Sequence, residues 1–457
     1  MPTRVLVPAG VLGLGFDRDA LARGVAMQPD IICIDGGSTD SGPFSLGTGT
    51  SKYSRAGCKA EWRELMKARD ALQVPLVISS CGTCGSDGMV DWMFDITQEL
   101  AAELEQSIKV ALLYSEQNAD TIVAKLEANQ CHPLEPVVPL NAETVKDCSH
   151  IVALAGVEQI ALAIESGADI ILTGRATDTA PICALPIMRG EHVGAAWHGA
   201  KIAECGALCS TNPTSGVILL EVDQLGFSVQ PMASDARCTP HSVSAHMLYE
   251  NNDPHLLHEP GGTLDVTQAS YEQTDERTVR VIGSQWHASE TYTVKLEAAR
   301  STGYQCTIIA VLRNAHYVAN AQQWVDRLTG FLDKEISTSM QLTSDDYSLE
   351  FRLIGVDSVL GALETKKGTP TEVGVLGIIT ATSENLTIEI AKLINPFLLH
   401  YPLTDKESLP TFAFPYSPAH SQRGAFFEFC MNHIIELDSP MDVFHIKTKQ
   451  VGINAAG

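Results

Sequence analysis

Residues 31–50 read IICIDGGSTDSGPFSLGTGT. Four apolar residues run into Asp35, then two glycines, then Ser38, Thr39 and Asp40. An apolar run this short, closed by glycine, predicts a strand buried on both faces; a buried helix needs more length. Such a strand delivers two carboxylates and two hydroxyls to its C-terminal edge. In open α/β sheets that edge is where ligands bind. Glycine there lets the backbone come close to a ligand. Asp-Gly-Gly is equally ordinary turn chemistry, so the stretch by itself leaves both readings open.

Outward from this stretch, the first ~210 residues alternate apolar runs with amphipathic ones, the rhythm of βα units. Strands are expected at 4–7, 30–34, 75–79, 109–114, 151–155 and 169–173, and helices at 60–73, 157–166 and 195–209. After residue 212 the pattern shifts to short strands and turns, with one helix opening at Pro240. From about residue 301 an α+β pattern follows: a strand, a helix near 321–332, strands near 349–354 and 372–379, and a helix near 385–394. The expected fold is therefore α/β. A Rossmann-like domain with a mainly parallel sheet (1–212) is continued by a closing segment (213–300) and followed by an α+β domain (301–457).

Three more loops fall on the same sheet edge if the strands are parallel. Ser79-Ser-Cys-Gly-Thr-Cys-Gly-Ser-Asp-Gly88 follows a strand and feeds a helix. Its Gly82, Thr83, Gly85 and Ser86 suit an anion held on backbone N–H groups at the positive end of the helix dipole. The alternative is a tight turn capped by Ser86 or Asp87. Cys81 and Cys84 form a lone CxxC, with no second ligand pair to mark zinc. Thr173-Gly-Arg-Ala-Thr-Asp-Thr179 supplies Arg175, the only Lys or Arg between Lys146 and Arg189. Its planar fork suits a carboxylate or phosphate. Pairing with Asp178 or Asp169 is the plainer role, and Thr177 and Asp178 also read as helix caps. Glu116 follows a strand to the same edge. Asp35, Asp40 and Glu116 are thus the candidate acid/base groups; Ser38, the Gly-rich loop, Arg175, Thr177 and Asp178 are candidate substrate contacts. The same crowded carboxylates are hard oxygen ligands for a divalent cation. His246 is expected to be packed or solvated rather than catalytic.

The chain is 457 residues long, 45% hydrophobic and 19% charged, with a net charge of −24. That describes a globular protein with more than one core. The charge disfavours nucleic acid and anionic membrane as partners. No stretch is long and apolar enough to span a bilayer. The start, MPTRVLVPAG, holds an apolar patch too short for a signal-peptide core. A cytoplasmic setting with reduced thiols is expected.

Several blocks, in order, resemble the acyclic terpene utilisation AtuA family. They are IDGGSTDSGPFSLGTGTS (34–51), VISSCGTCGSDGMVDW (77–92), ESGADIILTGRATDTA (165–180), AKIAECGAL (200–208), RCTPHSVSAHMLYENNDP (237–254), EPGGTLD (259–265) and VKLEAAR (294–300). EVGVLGIITA (372–381) and FAFPYSP (412–418) are similar more loosely. The resemblance implies a catabolic protein of branched-acid or terpenoid degradation, often accompanied by a small associated subunit. Residue roles come from the residue chemistry alone. Several carboxylates, hydroxyls and one Arg, without a nucleophile–base triad, point to proton abstraction beside a carboxyl or thioester. The expected activity is lyase-like hydration or dehydration, or isomerisation, of a small organic acid or its acyl-CoA, in a homo-oligomer. A non-catalytic binding or scaffolding subunit and a metal-dependent hydrolase are the rival readings.

Overall fold

The computed structural model describes residues 1–137, 139–366, 368 and 370–452. The chain forms two units: Met1–Arg300 together with the chain from Phe429 onward, and Ser301–Glu428.

The first unit is organised by a ten-stranded sheet. Its centre is five parallel strands, in the order Thr3–Val7, Ile31–Asp35, Leu76–Ser79, Ile170–Thr173, Ile108–Tyr114. Alternate residues of these strands enter two different cores. Val5, Ile31, Cys33, Val77, Leu113 and Ile171 pack on one face. Leu6, Ile32, Ile34, Ile78, Leu112 and Leu172 pack on the other. Helices cover both faces: Arg18–Ala26, Arg55–Leu72 and Asp87–Glu103 on the second, and Val157–Glu165, Ala180–Met188 and Val193–Ala203 on the first. Two-sided burial is why the strands read as unbroken apolar runs.

Antiparallel strands flank this centre. Ile218–Val222, Gly226–Pro231, Val279–Ile282 and Ser270–Gln273 extend one side, and His445–Val451 pairs with Ile108–Tyr114 on the other. The sheet is therefore mixed, and its parallel order is not that of a dinucleotide-binding Rossmann fold. Residues 213–300, expected as a closing segment, contribute four strands to the same sheet. The last segment of the chain returns to it as well. The strand expected at 151–155 is found at Cys148–Ala153 and pairs antiparallel with Leu296–Arg300 instead of joining the parallel strands.

The sheet has a topological switch point. Leu76–Ser79 and Ile170–Thr173 are neighbours, yet the helix after the first lies on one face and the helix after the second on the other. Chains leaving such strands in opposite directions are where open α/β sheets form ligand crevices; here the Gly-rich loop fills the space between them, against the Arg175 backbone.

The second unit is an antiparallel sheet under two helices. Val373–Ala381 pairs with Tyr304–Leu312 on one side and Tyr347–Ile354 on the other. Ala321–Met340 and Glu384–His400 bury Trp324, Leu328, Ile390 and Ile394 against it. This is an α+β arrangement.

His198 sits fully buried in the helix Val193–Ala203. Its Nδ1 lies 2.7 Å from Ser284 Oγ and its Nε2 3.0 Å from Tyr271 Oη. Burial presses its pKa down to about 3. An unfolded histidine titrates near 6.5. Between pH 6.5 and about 3 the unfolded chain thus binds a proton that the folded chain refuses, and stability rises with pH. Acidification below 6.5 is expected to cost about 1.4 kcal/mol per pH unit from this group. Urea titrations of wild type and His198→Gln from pH 7.5 to 4.5 check it: the stability gap between them narrows as pH falls. A constant gap rules His198 out as the source.

Candidate active site

Asp35 ends its strand with the side chain buried. Its Oδ1 accepts from Ser79 Oγ at 2.7 Å, and its Oδ2 from Gly37 N at 2.9 Å. Gly37 has a φ of +123° and lies against Thr83, so a side chain there would be strained and crowded. Burial raises the pKa of Asp35 well above the carboxylate range; the Asp178 charge adds to this, while the Ser79 hydroxyl and Arg175 oppose it.

Asp35 faces a cavity of about 400 Å³. Ser38, Asp40, Asp178, Glu204 and Cys205 also line it. Tyr249 and Glu250, from the segment after the helix Pro240–His246, supply another part of its wall. Asp40 is exposed, and its Oδ2 accepts from the Ser38 hydroxyl. Asp178 carries a raised pKa through burial, opposed by Arg175 and reinforced by Asp40. Five of the lining side chains are carboxylic acids, and among the described residues no Lys or Arg lines the cavity.

The cations stand behind the wall. Arg175 is buried. Its Nε donates to Glu297 Oε2 at 3.1 Å, one η nitrogen donates to Ser80 Oγ at 3.0 Å, and the same nitrogen lies 3.6 Å from Asp178 Oδ1. Burial alone would raise Glu297, but the guanidinium holds it at about 2. Thr39 Oγ1 and Lys295 Nζ complete the Glu297 shell, at 3.1 and 3.3 Å. Lys201, also buried, donates to Glu204 Oε1 at 2.5 Å. Burial pushes Glu204 to about 8 against the pull of Lys201, with Asp178 adding to the rise. Glu259 accepts from Thr179 Oγ1 at 2.7 Å and is raised by burial to about 7.

Other candidates from the sequence occupy a different part of the edge. Residues 76–86 are buried throughout. Thr83 has a φ of +79°, a costly conformation for a β-branched residue, and its Oγ1 accepts from Lys52 N. Gly85 lies against the Arg175 backbone, where a Cβ would come within 2.2 Å of Arg175 N, and its carbonyl accepts from that nitrogen. Ser86 is the N-cap of the helix Asp87–Glu103 but makes no side-chain cap bond. The helix end is served by Glu116 instead. Glu116 Oε2 accepts from Asp87 N at 2.9 Å, while Asp87 Oδ1 accepts from Glu116 N at 3.1 Å. Glu116 Oε1 meets His150 Nδ1 at 2.5 Å; burial raises the Glu116 pKa, but the His150 contact and the Asp87 amide together bring it below the usual value. A carboxylate of the chain itself therefore sits where the helix dipole favours an anion. Thr177 Oγ1 pairs with Thr179 Oγ1 at 3.1 Å. Gly82, Thr83, Gly85, Ser86, Glu116, Arg175 and Thr177 do not line the cavity; Asp35, Ser38, Asp40 and Asp178 do. Cys81 and Cys84 are fully buried, and burial raises both thiols, the opposite of an activated redox pair.

Lys201, Glu204, Cys205, Glu259 and Glu297 escaped the reasoning from residue chemistry. A lysine three residues before a glutamate is an ordinary surface pair on a helix. The available signal was that 195–209 is too apolar for a surface helix to carry that pair outward.

Among the described residues, no helix is long and apolar enough to cross a membrane. No curated protein and no solved structure matches the chain. A family model, described as acyclic terpene utilisation family protein AtuA, matches residues 65–403. The matched range holds Arg175, Lys201, Glu204, Cys205, His246 and Glu297, while the strand and loop of Asp35 precede it. With well over half of its length inside that match, the chain belongs to the acyclic terpene utilisation family.

Proposed function

We propose that the protein is a catabolic enzyme that moves a proton beside a carboxyl or thioester carbonyl in a small organic acid or its acyl-CoA. The outcome would be hydration, dehydration or isomerisation. The observation that carries this reading is the pair Asp35 and Asp178 facing one cavity, both with raised pKa values. Carboxyls that repel each other in a buried site divide into an acid and a base. Asp35 is the base, because its two oxygens are fixed by Ser79 and Gly37. Asp178 and Asp40 shuttle or return the proton. Glu116, gripped by His150 and Asp87, braces the Gly-rich loop. Arg175 and Lys201 offset the acidity from behind the wall, which an anionic substrate requires. Ser38, Asp40 and Asp178 contact the substrate. A divalent cation held by the carboxylates is compatible with the same chemistry.

A melting screen against carboxylic acids and their CoA esters, with and without magnesium, manganese and zinc, tests the proposal. A compound that stabilises the protein and is then converted supports it. Stabilisation without conversion, alone and with a small partner subunit, would make the protein a binding or scaffolding subunit. Hydrolysis of the hit only in the presence of metal would replace proton abstraction with metal-dependent hydrolysis.

A further inference from the structure

The structure assigns a second chemistry to the cavity wall: we propose that Glu204, Cys205 and His246 bind a zinc-class divalent cation. The three side chains can each place one ligand atom so that all lie within 4.8 Å of one another. A tetrahedral zinc site sets its donors about 3.5 Å apart, so small side-chain rotations close the set. The independent observation is His246 itself. The residue is only 5% exposed, and its Nε2 is buried with no hydrogen-bond partner. Buried polar atoms are nearly always satisfied, so an orphan imidazole nitrogen beside a thiol and a carboxylate calls for a ligand.

The donor set selects the ion. One sulfur, one imidazole and one carboxylate oxygen suit zinc or a similar borderline metal; magnesium and calcium prefer oxygen throughout. The donors are also well anchored. Glu204 caps the buried helix Val193–Ala203, with Cys205 next to it. His246 ends a helix whose start is fixed by the reciprocal Thr239–Ser242 cap, and its ring stacks on Tyr249 at 5.5 Å. Lys201 holds only Oε1 of Glu204, which leaves Oε2 for the ion. Asp35, Asp40, Asp178 and Glu250 line the same cavity as Glu204 and Cys205. Three protein donors leave a fourth position free, and Glu204 and Cys205 lie on the cavity. That open position is the mark of a catalytic rather than a structural zinc site. Binding releases the protons of Cys205 and Glu204 to solvent, because the ligands are the thiolate and the carboxylate.

This site does not rest on the acid–base reading, and its test needs no turnover. The full chain, stripped with chelator, is titrated with cobalt(II) and then with zinc. One cobalt per chain should bring in thiolate-to-cobalt charge-transfer absorption in the near ultraviolet, and zinc should displace it. Cys205→Ser should abolish that absorption. Cys205→Asp should bind the ion without it. His246→Gln should weaken cobalt and zinc affinity about 10-fold or more. Failure of the wild type to take up either ion overturns the proposal. So does absorption that survives Cys205→Ser or Cys205→Asp, or an affinity unmoved by His246→Gln. If Cys205→Ser fails to fold, Cys205→Asp and His246→Gln decide.

Discussion

Asp35→Asn is expected to lower turnover by about 10²-fold or more while the protein still folds, the usual loss when a general base is removed. The local geometry accommodates the amide. Its oxygen can accept from Gly37 N, and its NH₂ can face Ser79, whose hydroxyl rotates to accept. The substitution also removes a charge that burial and Asp178 both disfavour, so melting should stay level or rise. Activity on the substrate found by the melting screen, together with a thermal melt, reads both halves. A variant that turns over like wild type removes Asp35 from the chemistry. A variant that melts far lower assigns it to the scaffold. Asp40→Asn is the comparison within the same loop. Asp40 is exposed, so its loss should move stability less than any change at Asp35.

Arg175→Met should cost about 3–5 kcal/mol, the range for breaking a buried ion pair from one side. Met matches the bulk of the Arg stem but leaves Glu297 buried, with Asp178 nearby and Lys295 as its remaining cationic contact. Urea midpoints at neutral pH measure the loss. Combining Arg175→Met with Glu297→Leu should recover most of it, because the orphaned charge disappears with its partner. Arg175→Lys should fall between, since it keeps the charge but loses the fork that reaches both Glu297 and Ser80. A residue used only to hold a ligand would behave differently. Its loss would leave the midpoint unchanged, and Glu297→Leu would rescue nothing. The Glu297 pair makes Arg175 first a joint between its loop and the strand Tyr292–Leu312. Any effect on substrate then comes through Asp178, which the same guanidinium touches.

Much of the architecture was legible in local chemistry. The apolar runs at 4–7, 30–34, 75–79, 109–114 and 169–173 became the parallel centre. A strand buried on both faces needs no partner to declare itself; its own composition does. The placement of Asp35 was legible for a related reason. A residue that ends such a strand lies at the carboxyl edge whatever the strand order. Partners were not legible. The run at 151–155 has the same composition as its neighbours, yet Cys148–Ala153 pairs with Leu296–Arg300 instead, because apolar pattern fixes burial and not which edge supplies the hydrogen bonds. Glu116 shows the same gap at the side-chain level. Chain position brings it to the shared edge, but His150 and the Asp87 amide take its carboxylate away from the cavity. Arg175 was picked out by its isolation among uncharged residues, while its partner Glu297 lies 122 positions away on an antiparallel strand. Lys201, Glu204, Cys205 and His246 come together only when the end of one buried helix meets the end of another. Strand identity and edge position follow from short-range composition and solvation. The convergence of charges follows from long-range pairing, whose energy is shared among many apolar contacts and leaves no signature at the charged residues themselves.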